Sequence, residues 1–266
     1  MITVNDQSRY ELACQIAREA GKATLAHFTR PLEVQRKSDD SPVTIADQQA
    51  ERLLRQRIED HFPDDGIIGE EYGEKGGTSR FRWILDPIDG TKSFITGVPL
   101  YGTLVGLQHE EQSYAGVIYI PALDEGVQAA KGGGAWHWRG QDAPVLAQVA
   151  EEMTLDNGAF LTSERSDFDE RGAGEVYLEL EKKARLTRTW GDCYGYLLVA
   201  TGRAALMVDP IMSVWDAAAI QPILEEAGGT FTDWAGVPRV DGDEGIGTHA
   251  GVLKTVLEIT RGHVAG

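Results

Sequence analysis

Positive charge is scarce in this chain. Lysine and arginine number 25 against 42 aspartates and glutamates, a formal net charge of -17. No basic stripe interrupts that balance, which disfavours nucleic acid and anionic membranes as partners. Cysteine is scarcer still: Cys14 and Cys193 exclude a disulfide framework and a thiolate zinc site. No apolar run approaches the ~20 residues that span a bilayer, and Met1 to Asp6 lacks the basic and apolar regions of a leader peptide. The expectation is a soluble cytoplasmic protein. Neither a Walker-type loop nor a Gly-x-Gly-x-x-Gly turn follows a strand, so Gly132-Gly133-Gly134 reads as a plain loop. Internal repeats and low-complexity tracts are also missing.

At 266 residues and 42% hydrophobic, the chain suffices for one large core or two modest cores sharing an interface. Its organising stretch is Trp83-Ile84-Leu85-Asp86-Pro87-Ile88-Asp89-Gly90-Thr91, a buried-strand pattern that stops at two aspartates. Pro87 fixes φ between them and Gly90 permits a sharp turn, so both carboxylates can converge. Two readings stand. Asp, Pro and Gly form turns without any ligand. Alternatively, converging carboxylates hold a hard cation such as Mg²⁺, and amides at the start of a following helix bind an anion beside it. An EF-hand is excluded, because Ile88 and Gly97 occupy its third and twelfth positions. For a chain this acidic, an anionic substrate requires such a cation.

Amphipathic spacing predicts helices over 8–29 and from Ala46 to Ile58, with Thr44 and Asp47 as a capping pair. Gly66 to Gly69 reads as a second strand ending in acids, Glu70 and Glu71, which serve either as ligands or as a solvated pair. Short antiparallel strands follow near 100–107, 114–120 and 126–130. A boundary at 142–157 divides the chain into 1–145, an α+β half carrying most candidate ligands, and 146–266, an α/β half. In the second half, helices are expected near 169–184, 196–200, 217–227 and 254–262, alternating with strands near 159–162, 185–190 and 204–208. Asp216 reads as the N-cap of the helix from Ala217, and Asp192 as an N-cap near Cys193.

Gly69-Glu70-Glu71, Trp83 to Thr91 and Trp215-Asp216-Ala217-Ala218 resemble, in order and separation, the three signatures of the inositol monophosphatase family, with Glu225 to Gly229 a fourth match. The resemblance implies a layered mixed α/β fold, an αβαβα sandwich of the inositol monophosphatase and fructose-1,6-bisphosphatase type. It also implies a homodimer and a lithium-sensitive phosphatase using two to three Mg²⁺ ions on a small phosphate ester. Carried over, the metal ligands are Glu70, Asp86, the Ile88 carbonyl, Asp89 and Asp216, with Asp86 as bridge. Glu70, with Thr91 and its partner Asp47, is implied to activate water, and Gly90, Thr91 and Lys37 to hold phosphate. Thr91 to Leu104 and Trp190-Gly191-Asp192-Cys193-Tyr194 resemble the histidinol-phosphatase-like branch, making Asp192, Asp209 and Arg188 the candidate substrate contacts. Residues 209–214 lack that branch's Gly-Leu-Lys-Pro run. The alternatives are a broad inositol-1-monophosphatase-like enzyme and a non-catalytic cation-binding protein of the same fold.

Overall fold

Strand periodicity sends neighbouring side chains to opposite faces, and in the central sheet each face meets a different helical layer. The computed structural model describes residues 4–30, 34–36 and 42–263. Its larger sheet has eight strands in the order β10 (Val145–Leu146), β9 (Ala135–Arg139), β8 (Glu125–Ala130), β7 (Gln112–Ile120), β6 (Gly102–His109), β5 (Phe81–Asp89), β3 (Gly66–Gly69) and β4 (Gly73–Lys75). Val105 and Val117 on one face pack with Ile16 of α1 (Val4–Thr24) and with Leu54 and Ile58 of α2 (Ile45–His61). Leu104 and Ile118, one position away on each strand, pack with Leu197 of α6 (Cys193–Ala200) and Ile223 of α8 (Ile220–Glu226).

Beyond that layer lies a five-stranded sheet, ordered β12 (Leu186–Arg188), β11 (Ala159–Leu161), β13 (Leu206–Asp209), β15 (Gly245–Thr248) and β14 (Thr230–Thr232). Its outer face buries Phe160 and Val208 against Phe168 of α4 (Arg165–Glu170), Leu180 of α5 (Gly174–Lys183) and Val256 of α9 (Ala250–Thr260). The layers are therefore helix, sheet, helix, sheet, helix, as the resemblance implied. β1 (Val34–Arg36) and β2 (Pro42–Thr44) form a separate ribbon, and α3 (Thr91–Thr96) and α7 (Val214–Ala217) are short helices beside the site. No helix among the described residues is long and apolar enough to cross a membrane.

Several boundaries differ from the sequence reading. The first helix ends at Thr24, whose hydroxyl donates to the Gly21 carbonyl, and turns occupy 25–29. The helix expected over 169–184 is two, α4 and α5, separated where Gly172 takes φ 73°. The one expected over 217–227 is also two, α7 and α8. Helix α6 begins at Cys193, three residues before its expected start, and α9 begins at Ala250, where the His249 side chain accepts from the Gly251 amide.

Gly106 and Gly116, paired across β6 and β7, form a trough for the α7–α8 corner. A Cβ on Gly116 would stand 2.0 Å from the Ala219 carbonyl oxygen, and one on Gly106 2.9 Å from Ala218. That close approach seats Asp216 beside β5. A second tie joins the layers at Glu125, whose side chain is fully buried and accepts from His137 (2.8 Å), Arg139 (2.9 Å) and Arg203 (2.7 Å).

Burial opposes ionisation of Glu125, but the His137, Arg139 and Arg203 bonds outweigh it and hold its pKa at about 2. A depressed pKa stabilises the fold above the ordinary carboxylate range, and the contribution fades as pH falls through about 4.5 toward about 2. Glu125→Gln should therefore cost about 1–3 kcal/mol at neutral pH. Denaturant titrations of both proteins should show that gap closing across the acid window.

Candidate active site

In a regular strand, residues three apart face opposite sides. Strand β5 runs through both aspartates to Asp89, with a bulge between them. Asp86 pairs with Leu104 and Asp89 with Gly102, so three steps on β5 oppose two on β6. The extra residue lets both aspartates face the same side. Asp216 joins them, and one oxygen from each of Asp86, Asp89 and Asp216 lies within 4.8 Å of the others.

Each carboxylate is aimed by a backbone amide bonded to one of its oxygens. Asp86 accepts from Ile88 (3.0 Å), Asp89 from Cys193 (2.5 Å) and Asp216 from Ser213 (2.7 Å). Asp216 is accordingly not the N-cap. Ser213 takes that place, and Asp216 is the third helical residue of a capping box, reaching back to the Ser213 amide.

Asp86 is 2% exposed and Asp89 9%. Burial, then Glu70, Asp89 and Asp216, raise the proton affinity of Asp86 well above the usual carboxylate range. Burial, then Asp192 and Asp216, do the same for Asp89, and burial chiefly raises Asp216. No lysine or arginine bridges the three among the described residues. A small, hard, oxygen-only donor set carrying surplus negative charge fits Mg²⁺ or a similar divalent cation.

The other expected residues are distributed unevenly. Glu70, just beyond β3, lines the same cavity of about 510 Å³ but lies outside the 4.8 Å set. Thr91 Oγ1 donates to the Ile88 carbonyl at 3.1 Å and reaches Asp47 Oδ1 at the limiting distance of 3.5 Å. Asp47 closes the capping box of α2 and also faces Thr91. Its Oδ2 accepts from the Thr44 amide (2.8 Å) and hydroxyl (2.6 Å), while Oδ1 faces Thr91. Burial, against those Thr44 bonds, raises its pKa, and Glu70 adds to the rise. Gly90 adopts φ 82° and caps α3 without any side-chain bond. Lys37 lies outside the described residues.

Among the candidate substrate contacts, Asp192 lines the cavity. Its Oδ2 would lie 2.6 Å from a Cβ on Gly90, and its side chain makes no capping bond to α6. Burial raises its pKa against a bond from Ser163. Asp209 is 4% exposed and committed internally, accepting from the Ser163 amide (2.8 Å) and the Thr162 hydroxyl (3.3 Å); burial chiefly pushes its pKa up to about 7. Arg188 is exposed on β12, donates to the Thr187 carbonyl, and does not line the cavity. Sequence reasoning missed Asp167, half-buried in the cavity wall, with its pKa pushed to about 6 by burial and then by Glu164. It also missed Glu51, four residues after Asp47; that helical spacing was the available signal.

Because the three carboxylates repel one another, Asp86→Asn should raise the melting temperature of chelator-treated protein by a few degrees. Saturating MgCl₂ should stabilise the unaltered protein by about 3 kcal/mol at a hundredfold excess over the dissociation constant, and the variant much less. Thermal scans with and without chelator check both signs.

Comparison with known proteins agrees with this geometry. The profile of the Inositol monophosphatase family matches residues 5–262. The chain is 46% identical to a histidinol-phosphatase of Chlorobaculum parvum over 237 residues, covering 89% of this chain and 90% of the relative. It is 34% identical to a histidinol-phosphatase of Mycobacterium tuberculosis, covering 92% and 95%. Among solved structures, an inositol monophosphatase from Zymomonas mobilis superposes with a TM-score of 0.83 at 30% identity, covering 96% of this chain and 98% of the other. An IMPase from Thermotoga maritima gives 0.86 at 28% identity, with 97% and 98% covered. The chain belongs to the inositol monophosphatase family.

Proposed function

We propose that this phosphatase hydrolyses L-histidinol phosphate to L-histidinol and phosphate, and uses Mg²⁺ to do so. The observation that carries the reading is the convergence of Asp86, Asp89 and Asp216 in one cavity with Glu70, Thr91 and Asp192, in a chain 46% identical to a histidinol-phosphatase. Glu70, Asp86, the Ile88 carbonyl, Asp89 and Asp216 would hold two to three ions, with Asp86 bridging. Bound there, Mg²⁺ supplies charge neutralisation for the attacking and leaving oxygens of an in-line displacement.

The chain's own groups do the rest. Gly90 and Thr91 amides, with Lys37, hold the phosphate. Glu70 orients the attacking water and takes its proton, and Thr91, backed by Asp47, completes that water's position. Asp192 binds the ammonium or imidazole of the substrate, the feature that separates histidinol phosphate from sugar phosphates. Asp209, bound to Ser163 and Thr162, acts by holding the loop before α4. The homodimer, lithium sensitivity, cytoplasmic location and the division at residue 145 belong to the same proposal.

Phosphate release from a panel of esters decides the matter. Histidinol phosphate should be preferred, and chelation should abolish turnover. Equal rates on inositol phosphate would favour the broad phosphatase, and silence on every ester the non-catalytic protein. In Thr91→Ala, kcat should fall while KM changes little, because the hydroxyl acts on water; a raised KM with unchanged kcat would reassign it to substrate binding. Asp192→Ser should lower kcat/KM for histidinol phosphate by roughly ten- to two-hundredfold, the value of a charge-assisted bond of ~1.5–3 kcal/mol. Inositol phosphate turnover should fall much less. An equal loss on both esters would remove Asp192 from specificity.

A further inference from the structure

A carboxylate taken fully out of water needs partners, and the identity of those partners shows what it is for. Glu51, on α2, has a side chain with no exposed surface. Its Oε2 accepts from the Glu71 amide at 2.7 Å, and its Oε1 from the Tyr72 amide at 3.2 Å and from Arg55 Nε at 2.7 Å. Arg55, one turn further along α2, also donates to the Gly73 carbonyl. Every one of these bonds ends in the turn that carries Glu70 or in the arginine that clasps it. The approach is close: a Cβ at position 69 would stand 2.0 Å from Glu51 Oε1, so a larger residue there would have to displace the Glu51 carboxylate.

The other side of the turn is fixed to the catalytic strand. The Glu70 amide donates to the Leu85 carbonyl at 3.2 Å, one residue before Asp86. The hairpin itself needs no buried acid, since Gly69 pairs with Gly73 and Ile68 with Glu74 across β3 and β4. Four residues before Glu51, on the same face of α2, Asp47 reaches the Thr91 hydroxyl. One helix face therefore holds both the Glu70 turn and Thr91.

We propose that Glu51 is a positioning residue of the phosphatase: its carboxylate sets the backbone of Glu70 to Tyr72, and through it the reach of Glu70 toward Asp86. The proposal rests on the role assigned to Glu70 above. Glu51→Gln is the direct test, because it keeps the side-chain shape but turns an N–H toward one of the two amide donors. A displacement of about an ångström at a reacting group costs about a hundredfold in rate, and loss of a group that orients metal ligands costs about 10- to 100-fold in metal affinity. Glu51→Gln should lower kcat by at least about tenfold, leave KM within about threefold, and weaken Mn²⁺ binding to substrate-free protein, read by calorimetry, by about tenfold.

Asp65→Asn provides the structural comparison. Asp65 is also fully buried, but it bonds Arg9, Ser79 and Trp83 away from the cavity. This variant should melt earlier with Mn²⁺ affinity and kcat unchanged. Glu51→Gln with normal Mn²⁺ affinity and kcat overturns the proposal. If Glu51→Gln does not fold, Arg55→Ala takes its place, with weaker Mn²⁺ binding and lower kcat expected, and no change in either overturning the idea. Glu70→Gln separates the two roles. Normal turnover there removes the assignment of Glu70 and this proposal with it, whereas a crippled Glu70→Gln beside a normal Glu51→Gln removes only the positioning role.

Discussion

Three clustered carboxylates that repel one another, two of them buried and the third half-buried, are held together by the rest of the fold. Asp86, Asp89 and Asp216 have no described basic partner, and burial raises the proton affinity of all three. Such an arrangement is unfavourable without a cation and must be maintained by interactions elsewhere. The bulge in β5 brings two of them to one side, and the trough at Gly106 and Gly116 brings in the third. The amides of Ile88, Cys193 and Ser213 then fix one oxygen of each.

The layers around the site explain why it does not relax. Leu104 and Val105, adjacent on β6, enter different cores, so a one-residue slip of β6 would send each into the other's core and misfit both. Its partner β5 is thereby locked, and with it the Asp86 to Asp89 segment. The middle helical layer is shared between the sheets: Leu197 and Ile223 lie in one apolar cluster with Leu104 of the larger sheet and Met207 of the smaller. The Cys193 amide that orients Asp89 is thus attached to that common core.

Much of this was legible in the sequence because it depends on short-range pattern. Short apolar segments between turn signals gave the strands around Leu104 and Ile118, and the acids closing the apolar runs at 66–69 and 83–85 gave Glu70, Asp86 and Asp89 as candidate site residues. What was not legible depended on local geometry that composition does not encode. The bulge is invisible in Asp86-Pro87-Ile88-Asp89, which reads equally as a turn. Asp216 reads as an N-cap because aspartate favours that place, but Ser213 three residues earlier has the same preference, and the capping box gives each its own position. The bond between the Asp209 carboxylate and the Ser163 amide is a contact across 46 residues that no local pattern reports. Lys37 falls outside the described residues.

The charge of the cavity wall bears on which esters this phosphatase can accept. Its described lining holds seven carboxylates, from Glu70, Asp86, Asp89, Glu164, Asp167, Asp192 and Asp216, against the single ammonium of Lys92. Lys92 is itself paired with Glu164. A phosphate dianion gains little from such a wall until cations neutralise the aspartate cluster. Away from that cluster, Glu164 is already satisfied by Lys92, whereas Asp167 remains as an acid in the wall after neutralisation. A second phosphate at that end would meet like charge at short range, whereas an ammonium or imidazolium would meet an acceptor. The same net negative charge that disfavours a bare phosphate at the aspartate cluster therefore disfavours a second phosphate at the other end, the discrimination on which the proposed preference for histidinol phosphate depends.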